Sequence, residues 1–193
     1  METNFDKTPS ANIQVTMQYT PNPSAFKFLL NRDVKSGGAA TYKDKDECDN
    51  NLAKTLFDIP AVEHLYFFDN VITVTLNPSV PVEAVKDKIL NTIQKEAPTH
   101  DPNFTTKEEQ KKLERQNLPE DLKRINEILD RTVRPALQGD GGDIEILSYV
   151  HPEISVRYRG ACGGCPSSMM GTLQAITGIL REEFDPDIEV IPV

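Results

Sequence analysis

The chain contains no tryptophan, only three histidines and only three cysteines among its 193 residues. So small and odd a cysteine count argues against a disulfide framework and turns attention to metal or redox chemistry. The histidines, His64, His100 and His151, are scattered without the spacing of a metal or acid–base site. Long apolar runs are missing as well. None approaches the ~20 residues that span a bilayer, so no membrane partner is expected. Basic charge is scarce: 21 Lys and Arg stand against 30 Asp and Glu, a formal net charge of −9. That excludes the basic face by which a protein grips a nucleic-acid backbone. Residues Met1 to Lys7 have neither the apolar core of a signal peptide nor the Arg-rich face of a transit peptide, so a cytoplasmic protein is expected. Nothing resembles a Ser/His/Asp constellation, a phosphate loop or a paired-carboxylate site, and no enzyme in the turnover sense is expected.

At 38% hydrophobic and 26% charged, the composition is that of a globular protein. The patterning divides it into two small α/β-sandwich-like domains of the α+β class: residues 11–98, a polar linker at 99–118, and residues 119–193. The linker rests on the run Thr105 to Gln116, which is polar all round and follows Pro98 and Pro102.

In the first domain, Ile13, Val15, Met17 and Tyr19 alternate as a strand that Thr20-Pro21-Asn22-Pro23 must end. Phe26, Phe28 and Leu30 form a second strand, followed by a loop at Gly37-Gly38. A short helix runs around Leu52, Leu56 and Phe57 up to Pro60. Leu65 to Phe68 and Val71 to Leu76 read as a hairpin through Asp69-Asn70, residues that tolerate left-handed dihedrals. Val82, Val85, Ile89 and Ile93 share one face of a helix closed by Pro98.

The second domain opens with a helix after Pro119 that carries Leu122, Ile125, Leu129 and Val133 and stops soon after Pro135. A turn, Asp140-Gly141-Gly142-Asp143, falls short of a calcium site, and its task is geometric. Two strands follow, marked by Ile144 and Ile146 and by Ile154, Val156 and Tyr158, around a His151-Pro152 turn. Met169, Leu173, Ile176, Leu180 and Phe184 make one helical stripe capped by Ser167 or Ser168, and Ile188 and Val190 a closing strand. Met169 and Met170 read as core and as packing beside a metal. Arg157 and Arg159 face the polar side of their strand; they are solvated, or else offset a negative cluster.

The chemistry lies between the second strand and the last helix. Arg159-Gly160-Ala161-Cys162-Gly163-Gly164-Cys165-Pro166-Ser167-Ser168 places two thiols three positions apart, separated only by glycines that let both sulfurs turn to one point. A helix starting after Cys165 favours thiolate there. Cys48 sits among acidic residues in the other domain, where a thiolate is disfavoured, and is left out of the site. A structural zinc or a four-iron cluster takes about four ligands, whereas one chain offers two cysteines at chelating spacing. A two-fold homodimer would bring Cys162 and Cys165 of each subunit to one centre. An interface cluster of this kind yields its ligands to incoming thiolates, which suits a carrier. Two rivals remain: a thiol–disulfide oxidoreductase using the same pair, against which the late helix start weighs, and a zinc-bridged dimer.

From Leu122 to Val193 the sequence closely resembles the NifU-like C-terminal domain of the Nfu iron–sulfur proteins, through Val133-Arg134-Pro135, Asp140 to Asp143 and Gly160 to Ser168. The first domain resembles the Nfu amino-terminal domain through Tyr19 to Pro23, Lys27-Phe28, Leu52-Ala53, Leu56 to Ile59 and Phe68 to Val74. It departs from that pattern at Asn50-Asn51 and in having no tryptophan after the hairpin. The resemblance implies a scaffold or carrier that accepts an iron–sulfur cluster from upstream assembly proteins and delivers it to recipient apoproteins, with Cys162 and Cys165 as ligands. The cluster expected is of the four-iron, four-sulfur type, shared between two subunits, with a two-iron, two-sulfur form as the alternative.

Overall fold

The computed structural model describes residues 12–106, 109, 119–164 and 166–193, with the side chains of 163–170 left out of the description. Two antiparallel-rich sheets with separate apolar cores build the chain, an α+β architecture as expected.

The first sheet has five antiparallel strands: β1 (Val15–Tyr19), β2 (Ala25–Leu30), β3 (Lys35–Tyr42), β4 (Val62–Asp69) and β5 (Val71–Leu76). Their spatial order is β1-β2-β5-β4-β3. Period-two alternation sends Phe26, Phe28, Leu30, Leu65, Phe67, Ile72 and Val74 into the core. The β4–β5 turn is the two-residue Asp69-Asn70 connection read from the sequence, with Asp69 at φ 50°. Gly37-Gly38 does not end a strand. Both lie inside β3, where positive φ values of 69° and 150° accompany a shift in pairing between Lys35 and Ala39, so the glycines bulge the strand instead of breaking it.

Two helices cover the core face. In α1 (Asn51–Leu56), Asn50 caps the start by accepting from the Ala53 amide at 2.9 Å. The stripe Val82 to Ile93 is divided into a 3-10 turn, Val82–Ala84, and α2 (Lys86–Glu96), whose Ile89 and Ile93 are buried.

Part of the expected linker is tied to this domain. His100 Nε2 lies 2.6 Å from the Val34 carbonyl, and its ring meets Phe67 and Phe104 edge-on. Lys35, 3% exposed, pairs with Glu109 at 3.0 Å and sits over the Phe104 ring. Thr106 and Glu109 exchange side-chain-to-amide bonds of 3.0 and 2.8 Å, the reciprocal arrangement of a capping box. Residues 107, 108 and 110–118, the rest of that linker, lie outside the described residues.

The second sheet is β6 (Gly142–Val150), β7 (Glu153–Gly160) and β8 (Glu189–Pro192), with β6–β7 antiparallel and β7–β8 parallel. Two helices precede it, α3 (Glu120–Thr132) and α4 (Arg134–Gly139). The expected single helix is broken at Val133. Pro135 has no amide to continue the ladder and falls in the first turn of α4, where none is needed. The parallel crossover to β8 is α5 (Pro166–Glu183). Ile176 and Leu180 from α5 close the core over Ile125, Leu129, Ile154 and Val156. No helix among the described residues is long and apolar enough to cross a membrane.

Because Ile176 is fully buried, Ile176→Ala should cost about 2–5 kcal/mol in denaturant unfolding. His100 provides a pH test. Burial lowers its pKa from the usual value, with the Val34 hydrogen bond acting the other way, so the folded chain holds it neutral. Below about pH 6.5 the unfolded chain takes up a proton that the folded one refuses; stability is full above that pH and falls as acidity increases towards the lower native value. Unfolding midpoints measured between pH 7.5 and 5.5 should therefore decline more steeply in the parent than in His100→Gln.

Candidate metal centre at the cysteine loop

Strand β7 ends at Gly160, and a 3-10 turn, Ala161–Gly164, leads through Cys165 to α5 at Pro166. The helix thus starts after the second cysteine, with proline at its first position. Cys165 itself lies outside the described residues, as do the side chains of Ser167, Ser168, Met169 and Met170.

Cys162 is held by the glycine motif. Gly142 pairs with Gly160, and the Ala161 amide donates to the Gly141 carbonyl at 3.0 Å. A Cβ on Gly142 would overlap the Cys162 sulfur and approach the Arg159 carbonyl to 3.0 Å. At Gly160, with φ 61°, a Cβ would come 2.5 Å from the Gly141 carbonyl. The Asp140 to Asp143 turn is therefore more than a reversal of direction: its second glycine makes the space that the sulfur occupies. Composition and periodicity do not carry that contact, since Gly142 and Cys162 meet only through the β6–β7 register.

Cys48 occupies the other core and belongs to no site with Cys162. Burial, followed by the charge of Asp44, pushes its thiol up to about 12. Neither Cys48 nor Cys162 is in a disulfide.

Two tyrosines flank the Cys162 environment. Tyr158 is pushed up to about 12 by burial and then by the neighbouring Cys162. Tyr66, reaching over from the first domain, is raised by burial and then by Asp143, with Cys162 a smaller cause. Arg159 corrects the expectation of a solvated side chain. It is buried, its Nε donates to Glu145 Oε2 at 3.0 Å, and its Nη1 donates to Thr41 Oγ1 at 3.2 Å across the domain boundary. The cross-strand Glu145 carboxylate already meets its charge. Arg134 explains the Val133-Arg134-Pro135 motif: its Nε donates to the Ile144 carbonyl at 3.3 Å and lies 3.6 Å from Asp143 Oδ1, anchoring the strand beside the glycines.

One further cluster escaped the sequence reading. His151 Nε2 is 3.1 Å from Asp185 Oδ2, with Asp187 in the same group. More than thirty residues separate the histidine from the acids, so no short spacing could signal it. His151 and Asp187 are exposed and Asp185 is half-buried.

A thiol seated on paired glycines at a strand-to-helix loop is the distinguishing feature of this α+β frame. A family model of the NifU-like domain matches residues 125–191, and one of the N-terminal domain of the scaffold protein Nfu/NifU matches residues 13–100. NifU-like protein 4, mitochondrial, of Arabidopsis thaliana is 30% identical over 192 residues, covering 91% of this chain and 68% of that protein. The NFU1 iron-sulfur cluster scaffold homolog, mitochondrial, of Drosophila persimilis is 28% identical over 184 residues, covering 92% of this chain and 64% of its own. Among solved structures, a NifU-like protein from Saccharomyces cerevisiae is 23% identical, with a TM-score of 0.45 over 52% of this chain and 90% of that one. The chain belongs to the Nfu/NifU-like family of scaffold proteins. These relatives correct one expectation. The Arabidopsis and Drosophila relatives both carry "mitochondrial" in their names, against the cytoplasmic location inferred from the opening residues, where the missing Arg-rich pattern proves a poor guide.

The glycine contacts can be checked against each other. Gly142→Ala should destabilise the chain by about 1–3 kcal/mol in denaturant unfolding, because the sulfur and the Arg159 carbonyl must both give way. Gly178→Ala, in α5 with nothing within 4 Å of the added carbon, should instead stabilise by roughly 0.5–1 kcal/mol.

Proposed function

We propose that this protein carries a labile iron–sulfur cluster on Cys162 and Cys165 of two subunits and hands it to apoproteins, in the mitochondrial compartment named for its relatives. The cargo is of the four-iron, four-sulfur type. Upstream assembly proteins donate it, and the loaded form is a homodimer. The working unit is residues 119–193, joined through residues 99–118 to an amino-terminal domain at residues 11–98.

The observation that supports this most is the seat of Cys162: a sulfur placed over a glycine, at the end of a strand and before a helix that starts only after the second cysteine. Soft thiolate donors suit iron–sulfur clusters. One chain brings two of the four, and a two-fold axis supplies the rest. The helix start also weighs against dithiol–disulfide exchange, in which the first cysteine of the pair is the nucleophile at the helix end.

Anaerobic reconstitution with iron and sulfide should give a brown dimer with about two irons per chain, one four-iron cluster per pair. Cys162→Ser and Cys165→Ser should each abolish retention, Cys162→Ser with a loss of about 1–3 kcal/mol because it puts a hydroxyl in the second core, and Cys48→Ser should retain the full complement. A metal-loaded monomer with no external thiol, or full iron content in either loop variant, would overturn the reading.

A further inference from the structure

The five strands of the first sheet align one row of side chains on the face opposite its core: Gln18, Lys27, Thr73, Tyr66 and Thr41, each paired with the next across a strand boundary. Four of these five meet the motif that seats Cys162. Lys27 Nζ donates to the Gly139 carbonyl, and Thr73 Oγ1 donates to the Gly141 carbonyl at 2.9 Å. Tyr66 donates from its hydroxyl to Asp143 Oδ2 at 3.3 Å, and Thr41 Oγ1 accepts from Arg159 Nη1 at 3.2 Å.

At the sheet's end, the Tyr19 to Pro23 turn contributes a fifth bond. Asn22 Nδ2 donates to the carbonyl of Ala161, the residue before Cys162, at 3.0 Å. The turn holds Asn22 in place, since its Oδ1 accepts from the Ser24 amide at 3.0 Å and its own amide donates to Thr20 Oγ1 at 3.1 Å. The fit is also steric. A Cβ at Gly141 would lie 2.7 Å from Lys27 Cγ and 2.9 Å from Thr73 Oγ1, and one at Gly160 would lie 3.0 Å from Tyr66 Cδ1. Within the row Thr73 is 1% exposed, and Cys162, 7% exposed, packs with the second core.

We propose that the outer row of the first sheet is a cap that holds the cysteine loop of the same chain closed, with Cys162 packed into the second core, and that capping and cluster binding exclude one another. The proposal rests on the cluster-carrier reading above. A sulfur this covered within its own chain cannot also reach a metal on an axis shared with a second copy, because shared ligands must lie on the surface where the copies meet. Cargo that binds only the uncapped loop is held more weakly in proportion to the uncapped fraction, so the cap tunes retention and favours release. After release it keeps the loop in the seat where the thiol is buried, away from oxidation. Its chemistry suits reversal: most of the contacts are hydrogen bonds that water can replace when the domains part.

Thiol modification of the apo chain tests the cap without any cluster. In full-length Cys48→Ser/Cys165→Ser protein, where Cys162 is the remaining thiol, Thr73→Lys should raise the rate of modification by a maleimide at least about tenfold, and Thr73→Val by a smaller factor. Thr16→Lys, an exposed residue of β1 outside the row, should leave the rate unchanged. Should Thr73→Lys fail to fold, Thr73→Val and Asn22→Ala carry the test. Equal rates in the parent and in every folded row variant would overturn the cap. With both loop cysteines restored, Thr73→Lys should lose iron to a chelator more slowly than the parent; equal or faster loss would also count against it. The two readings fail separately. Faster Cys162 modification in a protein that never takes up iron keeps the cap and removes the carrier, whereas iron uptake with unchanged modification rates does the reverse.

Discussion

The contact on which the loop depends is the approach of the Cys162 sulfur to the bare backbone of Gly142. It requires Gly142 to face Gly160, which the antiparallel register of β6 and β7 provides. It also requires the chain to turn sharply after β7, which Gly160 permits at φ 61°. Any larger residue at position 142 would move the sulfur. The thiol's place is therefore set by strand pairing between residues some twenty positions apart, and the loop inherits the rigidity of the sheet although it lies outside it.

Charged groups around this contact serve position more than stability. Asp143 accepts from its own neighbour's amide, that of Ile144, at 2.7 Å, from Tyr66, and lies within reach of Arg134. Arg159 bridges Glu145 and Thr41. Buried pairs of this kind add little net free energy over apolar replacements, but removing one partner leaves a charge uncompensated. Both networks converge on β6 and the end of β7, the two segments whose register seats the cysteine. The net acidity of the chain does not describe this local field, in which arginines are drawn inward.

Strands with clean period-two alternation, such as β2, β5 and the Asp69-Asn70 hairpin, were legible in the sequence, as were Ile176, Leu180 and Phe184 of the α5 stripe and the late start of that helix. Local signals sufficed because one buried face dictates each pattern. Gly37-Gly38 misled because a glycine pair marks a bulge as readily as a loop, and only the partner strand β4 decides. Pro135 marked a break whose exact form, two helices meeting at Val133, depends on packing. Arg159 was misread because alternation predicts which face a residue takes and not what later covers that face. Of the site, residue types and spacing were legible, while the role of Gly142 and the row on the first sheet were not. Both arise from contacts between elements far apart in the chain.

The same glycines meet two different demands. Gly142 and Gly160 shape the loop from within, while Gly141 and Gly160 present a surface low enough for Lys27, Thr73 and Tyr66 to reach backbone carbonyls. A substitution on the loop side therefore changes the thiol's seat and the domain contact together, and its effects cannot be assigned to either. Residues on the opposing side are separable. Thr73 and Asn22 touch only carbonyls of the motif, at Gly141 and Ala161, and neither contributes to the glycine pairing that holds Cys162. Seating the thiol, which packs with the second core, is thus separable from the bonds that the first sheet makes to the motif. The bonds between the two sheets can therefore vary without altering the contacts that seat Cys162.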